Sequence, residues 1–183
     1  MIMYKTKQFK DLVISNPDYP LIVDDIIIAF GGVGFNEIDM FNAIPRRIKN
    51  RYRIITAPYY ISYPKVLEMA EIYLNDGNTL SPLNQIVLGF SAGGRNVQSH
   101  YDPNFKLAGL IDTSIRPMDV NVNYQDNTIL LFNFNNWDNT MFYFDFIDSI
   151  EDMVKKIRAN GGKVYFENIP HYFMPKYFFN NFL

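Results

Sequence analysis

A serine that could act as a nucleophile lies in the pentapeptide Gly89-Phe90-Ser91-Ala92-Gly93. The apolar run Gln85–Leu88 precedes it and a helix-compatible segment follows, which gives the order strand, tight turn, helix. In such a turn the serine adopts a positive φ that exposes its Oγ above the sheet. We expect side chains at Gly89 and Gly93 to collide with backbone where strand and helix nearly touch. The pattern predicts a nucleophile elbow at Ser91.

A serine hydroxyl is a poor nucleophile unless a neighbouring base takes its proton. The chain has two histidines, so the candidates for that base are few. His100 lies nine residues after Ser91 on the predicted helix, about 13 Å further along its axis at 1.5 Å per residue. His171 follows the last predicted strand, and the carboxyl ends of parallel strands share one edge of a sheet. His171 is therefore the predicted base, and His100 is interpreted as a surface or cap residue.

The acid that orients the base is expected at the end of a strand between Ser91 and His171. Asp138 follows the predicted strand Thr128–Phe134 after a short loop, and Asp112 ends the preceding one. We prefer Asp138, because its loop is the one nearest the final strand and hence His171. The alternative acid is Asp112, which could otherwise be a helix or turn cap.

Acyl transfer also needs hydrogen-bond donors for the developing oxyanion. One predicted donor is the backbone N–H of Ala92, at the start of the helix after the elbow, where the helix dipole adds to it. The other is expected in the glycine-rich loop Phe30-Gly31-Gly32-Val33-Gly34, which follows the first buried strand. Either Gly32 or Val33 could supply it, and the sequence leaves both open.

The elements that would position these residues alternate between strands and helices. Continuous apolar runs, the pattern of strands buried on both faces, alternate with helix-periodic segments. This order predicts a three-layer α/β/α domain around a mainly parallel sheet of about six strands. We expect one domain over residues 1–183, with residues 1–20 poorly defined. The predicted strands are 25–30, 52–57, 85–88, 107–112, 128–134 and 163–168; the predicted helices are 39–50, 64–75, 92–100, 140–160 and a helical aromatic tail within 172–183.

Composition excludes several function classes. A hydrophobic content of 48% supports a packed globule rather than a disordered chain. A formal net charge of −2 provides no basic surface for nucleic acid. Zero cysteines exclude disulfides and thiolate chemistry. We find no signal-peptide pattern and no apolar run of 18 residues, so we expect no membrane span and a cytoplasmic location by default.

Two rival kinds of site are disfavoured. The segment Gly32-Val33-Gly34-Phe35-Asn36-Glu37 begins like a dinucleotide fingerprint, but Glu37 replaces its third glycine and no acidic residue ends the next strand. Two distant histidines, with no cysteine and no H-E-x-x-H motif, argue against a transition-metal site. We therefore predict neither a cofactor nor a metal.

These motifs resemble those of the α/β-hydrolase fold family. The matches are the elbow at Ser91, the loop 30–34 at the family's His-Gly oxyanion loop, Asp138 as acid and His171 as base. The likeness covers about residues 25–183. Phe30 stands where the family usually has histidine, and the family's first two strands are missing or reduced to residues 1–20. The segment 113–127, where relatives often insert a lid, is about 15 residues long.

The resemblance implies a serine hydrolase acting on a carboxylic ester or related acyl bond through a covalent acyl-enzyme. An essentially lidless site suits a bulky or polymeric substrate as well as a small ester. Two alternatives remain: a non-catalytic interaction or structural protein with the same fold, and an acyltransferase using the same residues. The acyl chain length, the acyl acceptor and the oligomeric state do not follow from the sequence.

Overall fold

A computed structural model describes residues 4–17, 25–74, 80–114, 122–133 and 150–183. The strands are β1 (Tyr4–Phe9), β2 (Leu12–Pro17), β3 (Ile26–Phe30), β4 (Arg53–Ala57), β5 (Gln85–Phe90), β6 (Leu107–Ile111), β7 (Thr128–Asn133) and β8 (Lys163–Glu167). The helices are α1 (Glu37–Ala43), α2 (Arg46–Lys49), α3 (Tyr63–Leu74), α4 (Gly94–Ser99), α5 (Ile150–Ala159) and α6 (Met174–Phe182). Short 3-10 turns lie at Pro82–Asn84, Ser91–Gly93 and His171–Phe173.

Six of these strands are parallel and form the part of the sheet that the sequence predicts. The described strands make one sheet in the order β1-β2-β4-β3-β5-β6-β7-β8. Strands β3 to β8 all run parallel to one another within it. In β3 every residue is buried: Ile26 and Ile28 face one layer, and Ile27 and Ala29 face the other. Burial on both faces explains why these strands read as continuous apolar runs.

The expected count of about six strands is wrong, because residues 1–20 contain two more. β1 and β2 form an antiparallel hairpin, and β2 pairs antiparallel with β4. Residues Lys5 to Gln8 of β1 are exposed and polar, so the strand carries no apolar signal. The two-residue turn Lys10-Asp11 also lacks the glycine or asparagine from which a hairpin turn is usually predicted. Residues 4–17, where the first two strands were expected to be missing or reduced, thus form a short antiparallel hairpin.

Helices cover both faces of the sheet, so the predicted three-layer architecture is confirmed. On one face, α3, α4 and α5 bury Val66, Met69, Ala70, Val97, Met153 and Ile157. On the other face, α1, α2 and α6 bury Met40, Phe41, Ile48, Met174, Phe178 and Phe179. The elbow helix α4 and the C-terminal helix α6 therefore lie on opposite sides of the sheet.

The helix predicted over 39–50 is in fact two short helices. α1 begins at Glu37, because Asn36 caps it and shares a capping box with Asp39. It ends before Pro45, which has no N–H and disfavours helical backbone at the residue before it. The predicted helical tail is confirmed as α6.

Parts of two expectations lie outside the described residues. The helix predicted over 140–160 is described from Ile150 onward. Residues 115–121, in the segment where a lid would be inserted, are not described, so the prediction of an open site stays a prediction. Among the residues that are described, no helix has the length and apolar character required to cross a bilayer.

Candidate active site

The predicted elbow forms where β5 meets α4. Ser91 adopts φ 51°, directly after the last residue of β5 and at the start of the 3-10 turn that leads into α4. A Cβ added to Gly89 would lie 2.5 Å from the Gly93 carbonyl oxygen and from Gly94 Cα. Atoms cannot approach so closely, so only glycine lets the helix sit against the strand here. The expected positive φ and the expected close contact at Gly89 are both present.

Gly93 has a different neighbour from the one expected. A Cβ added there would lie 2.2 Å from the carbonyl oxygen of Gly31, in the loop after the adjacent strand β3. A side chain at Gly93 would therefore push the elbow away from the β3 loop rather than from β5. The glycine at this position brings two of the candidate functional segments together.

Thr113 fixes the elbow from the other side. Its Oγ1 donates a hydrogen bond of 2.5 Å to the Ser91 carbonyl oxygen. Its side chain also lies against Gly94, where an added Cβ would meet Oγ1 at 2.1 Å. The strained backbone of Ser91 is thus held by a neighbour from the loop after β6.

A buried amide anchors α4 to the loop after β4. Asn96 Oδ1 accepts from the Tyr63 N–H at 3.2 Å, and its Nδ2 donates to the carbonyls of Tyr59 and Ile61 at 3.0 and 3.1 Å. These bonds fix the helix that carries the elbow relative to the segment leading into α3.

His171 begins the 3-10 turn that follows β8. Its ring centroid lies 4.5 Å from that of Phe90, the buried residue immediately before Ser91. Its side chain is 26% exposed. The ring therefore lies over the end of β5, although the chain enters this turn from β8. We expected this approach, because the carboxyl ends of parallel strands share one edge of the sheet.

His171 is hydrogen-bonded to Asp112. Nδ1 of the ring lies 2.5 Å from Oδ2 of the carboxyl group, whose side chain is 2% exposed. An ionised carboxylate can only accept, so in this bond Nδ1 carries the proton. In a neutral ring this leaves the lone pair on Nε2, the nitrogen that a general base uses.

The Asp112 carboxylate is itself held in place. Its Oδ1 accepts from the backbone N–H of Asn133 at 2.9 Å, and its own N–H donates to the Leu131 carbonyl at 2.6 Å. Asp112 directly follows β6 and adopts φ 44°, a second non-glycine turn with positive φ. The structure thus pairs His171 with the alternative acid, whereas the preferred acid, Asp138, lies outside the described residues.

The glycine-rich loop after β3 forms a tight turn, here called the β3 turn (residues 32–35). The Gly32 N–H donates to the Phe35 carbonyl at 2.8 Å, and the Phe35 N–H donates back at 3.1 Å. Gly34 adopts φ 72°, which fits the third position of a type II turn. The Gly31 N–H is also engaged, with the Ala57 carbonyl at 2.8 Å.

The β3 turn lies against the elbow. A Cβ added to Gly32 would stand 2.8 Å from Ser91 Cβ and 3.3 Å from its Oγ. Of the two donors left open by the sequence, Gly32 has its N–H engaged within the turn. In the described part of the chain, no acceptor is bonded to the N–H of Val33 or of Ala92.

His100 lies at the far end of α4. Its Nδ1 is 3.1 Å from the Asn96 carbonyl oxygen, and its ring packs near Tyr63 at 5.8 Å between centroids. It follows the last residue of the helix, as expected for a cap. Within the described ranges no group of three or more acidic, histidine or cysteine residues could hold a metal ion.

Known structures, but not known sequences, resemble this protein. No protein-family model matches the sequence, and no curated protein matches it either. Solved structures do match: a thermostable esterase aligns with TM-score 0.56 and 13% identity, over 99% of this chain and 60% of the esterase. Esterase B from Lactobacillus rhamnosis, solved with a tributyrin phosphonate inhibitor, aligns with TM-score 0.54 and 13% identity, over 91% of this chain and 74% of its own. The chain has the α/β-hydrolase fold.

A third match shows that the fold can be nearly this small. A predicted CIB-like hydrolase from Thermoplasma acidophilum aligns with TM-score 0.50 and 13% identity, over 98% of this chain and 95% of that one. Against the thermostable esterase, this chain spans only about three-fifths of the length. The α/β-hydrolase fold predicted from the elbow and its surroundings is confirmed by these matches.

Two residues near the elbow of this α/β-hydrolase fold were not identified from the sequence. Thr113 bonds the Ser91 carbonyl, and Tyr172 packs beside His171 with 5.3 Å between ring centroids. Each directly follows a candidate residue, Asp112 or His171, along the chain. Neither residue belongs to a motif, so the position next to a candidate residue was the signal in the sequence that could have identified them.

Proposed function

We propose that the protein is a serine hydrolase of carboxylic esters or related acyl bonds, with Ser91, His171 and Asp112 as its triad. The observation that carries the proposal is the bond between His171 and Asp112, made by a ring that lies on the residue preceding a positive-φ serine. Nucleophile, base and orienting acid are recognised by such geometry and roles rather than by sequence position.

In the proposed reaction, Ser91 Oγ attacks the carbonyl carbon while His171 Nε2 accepts the hydroxyl proton. The carbonyl oxygen becomes an oxyanion, for which the N–H groups of Ala92 and Val33 are the proposed donors. Collapse of the tetrahedral intermediate breaks the bond to the alcohol, which leaves with the proton from His171. Water then attacks the acyl-serine by the same route, releasing the acid and regenerating Ser91.

Asp112 has the orienting role in this proposal. The buried carboxylate fixes the Nδ1–H tautomer of His171 and stabilises the imidazolium that forms when Nε2 is protonated. The preference for Asp138 stays untested, but a carboxylate already bonded to the base favours Asp112. The names of the aligned proteins, which include esterases, support an ester as the substrate.

A fluorophosphonate probe and intact-protein mass measurement test the proposal. The wild-type protein is expected to gain one adduct and to hydrolyse p-nitrophenyl acetate, whereas Ser91→Ala should do neither. Ser99→Ala is the matched control, because Ser99 is an exposed serine at the end of α4, the helix that follows the elbow. A wild-type protein that gains no adduct would refute the proposal and favour a non-catalytic role. An adduct that persists in Ser91→Ala would also refute the proposal, because another residue would then be the nucleophile.

The length of the acyl chain needs a separate measurement. A panel of p-nitrophenyl esters of rising chain length, compared by kcat/KM, would define it. A bulky or polymeric substrate predicts little loss of kcat/KM as the acyl group grows.

A further inference from the structure

The ring of Tyr172 connects the candidate base with the β3 turn. It stacks on Phe35, with 6.1 Å between centroids and 20° between planes, and meets Phe90 edge-on at 6.4 Å. Its hydroxyl oxygen lies 3.4 Å from the position that a Cβ on Gly34 would occupy. Tyr172 therefore covers the turn from Gly34 to Phe35 while following His171 directly in the chain.

Phe35 is the other half of this contact. Its ring packs against Phe90 at 4.9 Å and 69°, so it lies within reach of both the elbow strand and Tyr172. Phe35 also closes the turn through its two backbone bonds with Gly32. Holding the Phe35 ring thus restrains the backbone that presents the Val33 N–H.

The exposed face of Tyr172 is not explained by core packing. The residue is 56% exposed, yet its ring makes three aromatic contacts with site residues. The next residue, Phe173, is similarly exposed at 61% and makes no aromatic contact with any other residue that the structure describes. Two adjacent aromatic side chains of one 3-10 turn therefore differ in whether their rings meet the aromatic rings of the site.

We propose that Tyr172 is a positioning residue that orders the β3 turn, and with it the Val33 N–H, relative to His171. This inference rests on the proposed function, in which Val33 supplies an oxyanion donor. A displacement of about 1 Å in a catalytic group can reduce turnover by about 100-fold, so a restraint on this turn has a kinetic consequence. Because base and donor share this restraint, they keep a fixed relative placement.

The test compares Tyr172→Ala, Tyr172→Phe and Phe173→Ala by two measurements. The first is amide hydrogen exchange at Gly32 and Phe35, whose N–H groups close the β3 turn. The second is the hydrolysis of p-nitrophenyl acetate, with kcat and KM determined separately.

Tyr172→Ala is expected to speed exchange at both amides about tenfold and to lower kcat by about 10- to 100-fold, with KM changed less than about threefold. Tyr172→Phe keeps the stacked ring and should stay within about threefold of wild type in all three quantities. Phe173→Ala should do the same, because among the described residues its ring makes no aromatic contact with Phe35. If Tyr172→Ala does not fold, Tyr172→Leu decides, since it keeps bulk but loses the planar stack.

Unchanged exchange at Gly32 and Phe35 in Tyr172→Ala would overturn the inference whatever happens to activity. A raised KM with unchanged kcat would also overturn it, because that result describes a substrate contact. A wild-type protein that neither hydrolyses the ester nor reacts with the fluorophosphonate would refute the proposed function instead. In that case the exchange rates still decide whether Tyr172 orders the turn.

Discussion

The hairpin turn at Lys10 and the two turns at Ser91 and Asp112 share a left-handed backbone but differ in their surroundings. Their φ angles are 53°, 51° and 44°, respectively. Lys10 is exposed at the tip of the β1–β2 hairpin, whereas Asp112 is buried and Ser91 is half-buried at the carboxyl edge of the parallel strands.

A non-glycine residue in this conformation is less stable than one in ordinary backbone by about 1–2 kcal/mol. At Ser91 and Asp112, neighbours enforce the conformation. Thr113 bonds the Ser91 carbonyl, the Asp112 N–H donates to the Leu131 carbonyl, and the Asp112 carboxylate accepts from the Asn133 N–H. At Lys10 a two-residue turn demands it, and among the described residues the ammonium group lies over the ring of Phe9, 5.8 Å from its centroid. Backbone strain that is held in place by several neighbouring contacts is typical of functional sites. Strain in a hairpin turn is local, and we expect a substitution to remove it without affecting the site.

The largest effect that separates the two regions is expected from Ser91→Gly. Ester hydrolysis should fall by about a million-fold, because the nucleophile is lost. The free energy of unfolding should rise by about 0.5–1 kcal/mol, because glycine adopts a positive φ without strain. Kinetics and urea unfolding of the same sample check both. A fall in the free energy of unfolding would show that the Ser91 side chain stabilises the protein by more than its left-handed backbone destabilises it.

Asp112→Asn is expected to lower kcat by about 10⁴-fold, because an amide cannot fix the Nδ1–H tautomer of His171 as a carboxylate does. Asp138→Asn, the matched carboxyl-to-amide change, should alter kcat by less than about threefold. Both variants are measured with p-nitrophenyl acetate. The opposite ranking would return the acid role to Asp138 and leave the turn at Asp112 with a structural role.

Gly89→Ala tests whether the site region tolerates any added atom. The new Cβ would overlap the backbone of Gly93 and Gly94, so the free energy of unfolding should fall by about 3 kcal/mol. Gly162→Ala is the control, since its nearest contact is the side-chain Cγ2 of Ile157 at 2.8 Å, which can move. Equal losses for the two variants would show that the strand–helix contact at the elbow is not unusually tight.

Lys10→Gly should give the smallest effect, a gain of about 0.5–1 kcal/mol in the free energy of unfolding. Glycine removes the left-handed strain, and its larger unfolded-state entropy offsets part of that gain. Ester hydrolysis should be unchanged, because the hairpin is remote from Ser91 along the sheet order. A change in kcat would show that the hairpin and the site are coupled.

The sequence predicts those features whose signals are local. The elbow at Ser91 is a five-residue pattern, and the six parallel strands are apolar runs because both of their faces are buried. The hairpin β1–β2 was not predicted, because its outer strand is polar and its turn lacks glycine. Hairpin pairing there depends on β4, a strand nearly 40 residues further along the chain.

The pairing of His171 could not be read from strand order alone. We preferred an acid from the loop nearest β8, which lies outside the described residues, and the structure pairs His171 with the residue that follows β6. Strands lie about 4.8 Å apart, so this contact crosses about 10 Å of sheet. The segment between Glu167 and His171 can span that distance when extended at about 3.3 Å per residue. The direction it takes is set by the packing of His171 on Phe90, a tertiary contact.

The polar character of β1 also bears on how copies of the protein meet one another. β1 is the outermost of the described strands on its side of the sheet, and an unpaired strand edge is a template for joining a second chain. Exposed Lys5 and Lys7 lie on one face of that strand, two residues apart. Any chain that extended the sheet past β1 would have to accommodate their ammonium groups beside its own side chains. The hairpin that closes this side of the fold thus also disfavours edge-to-edge aggregation.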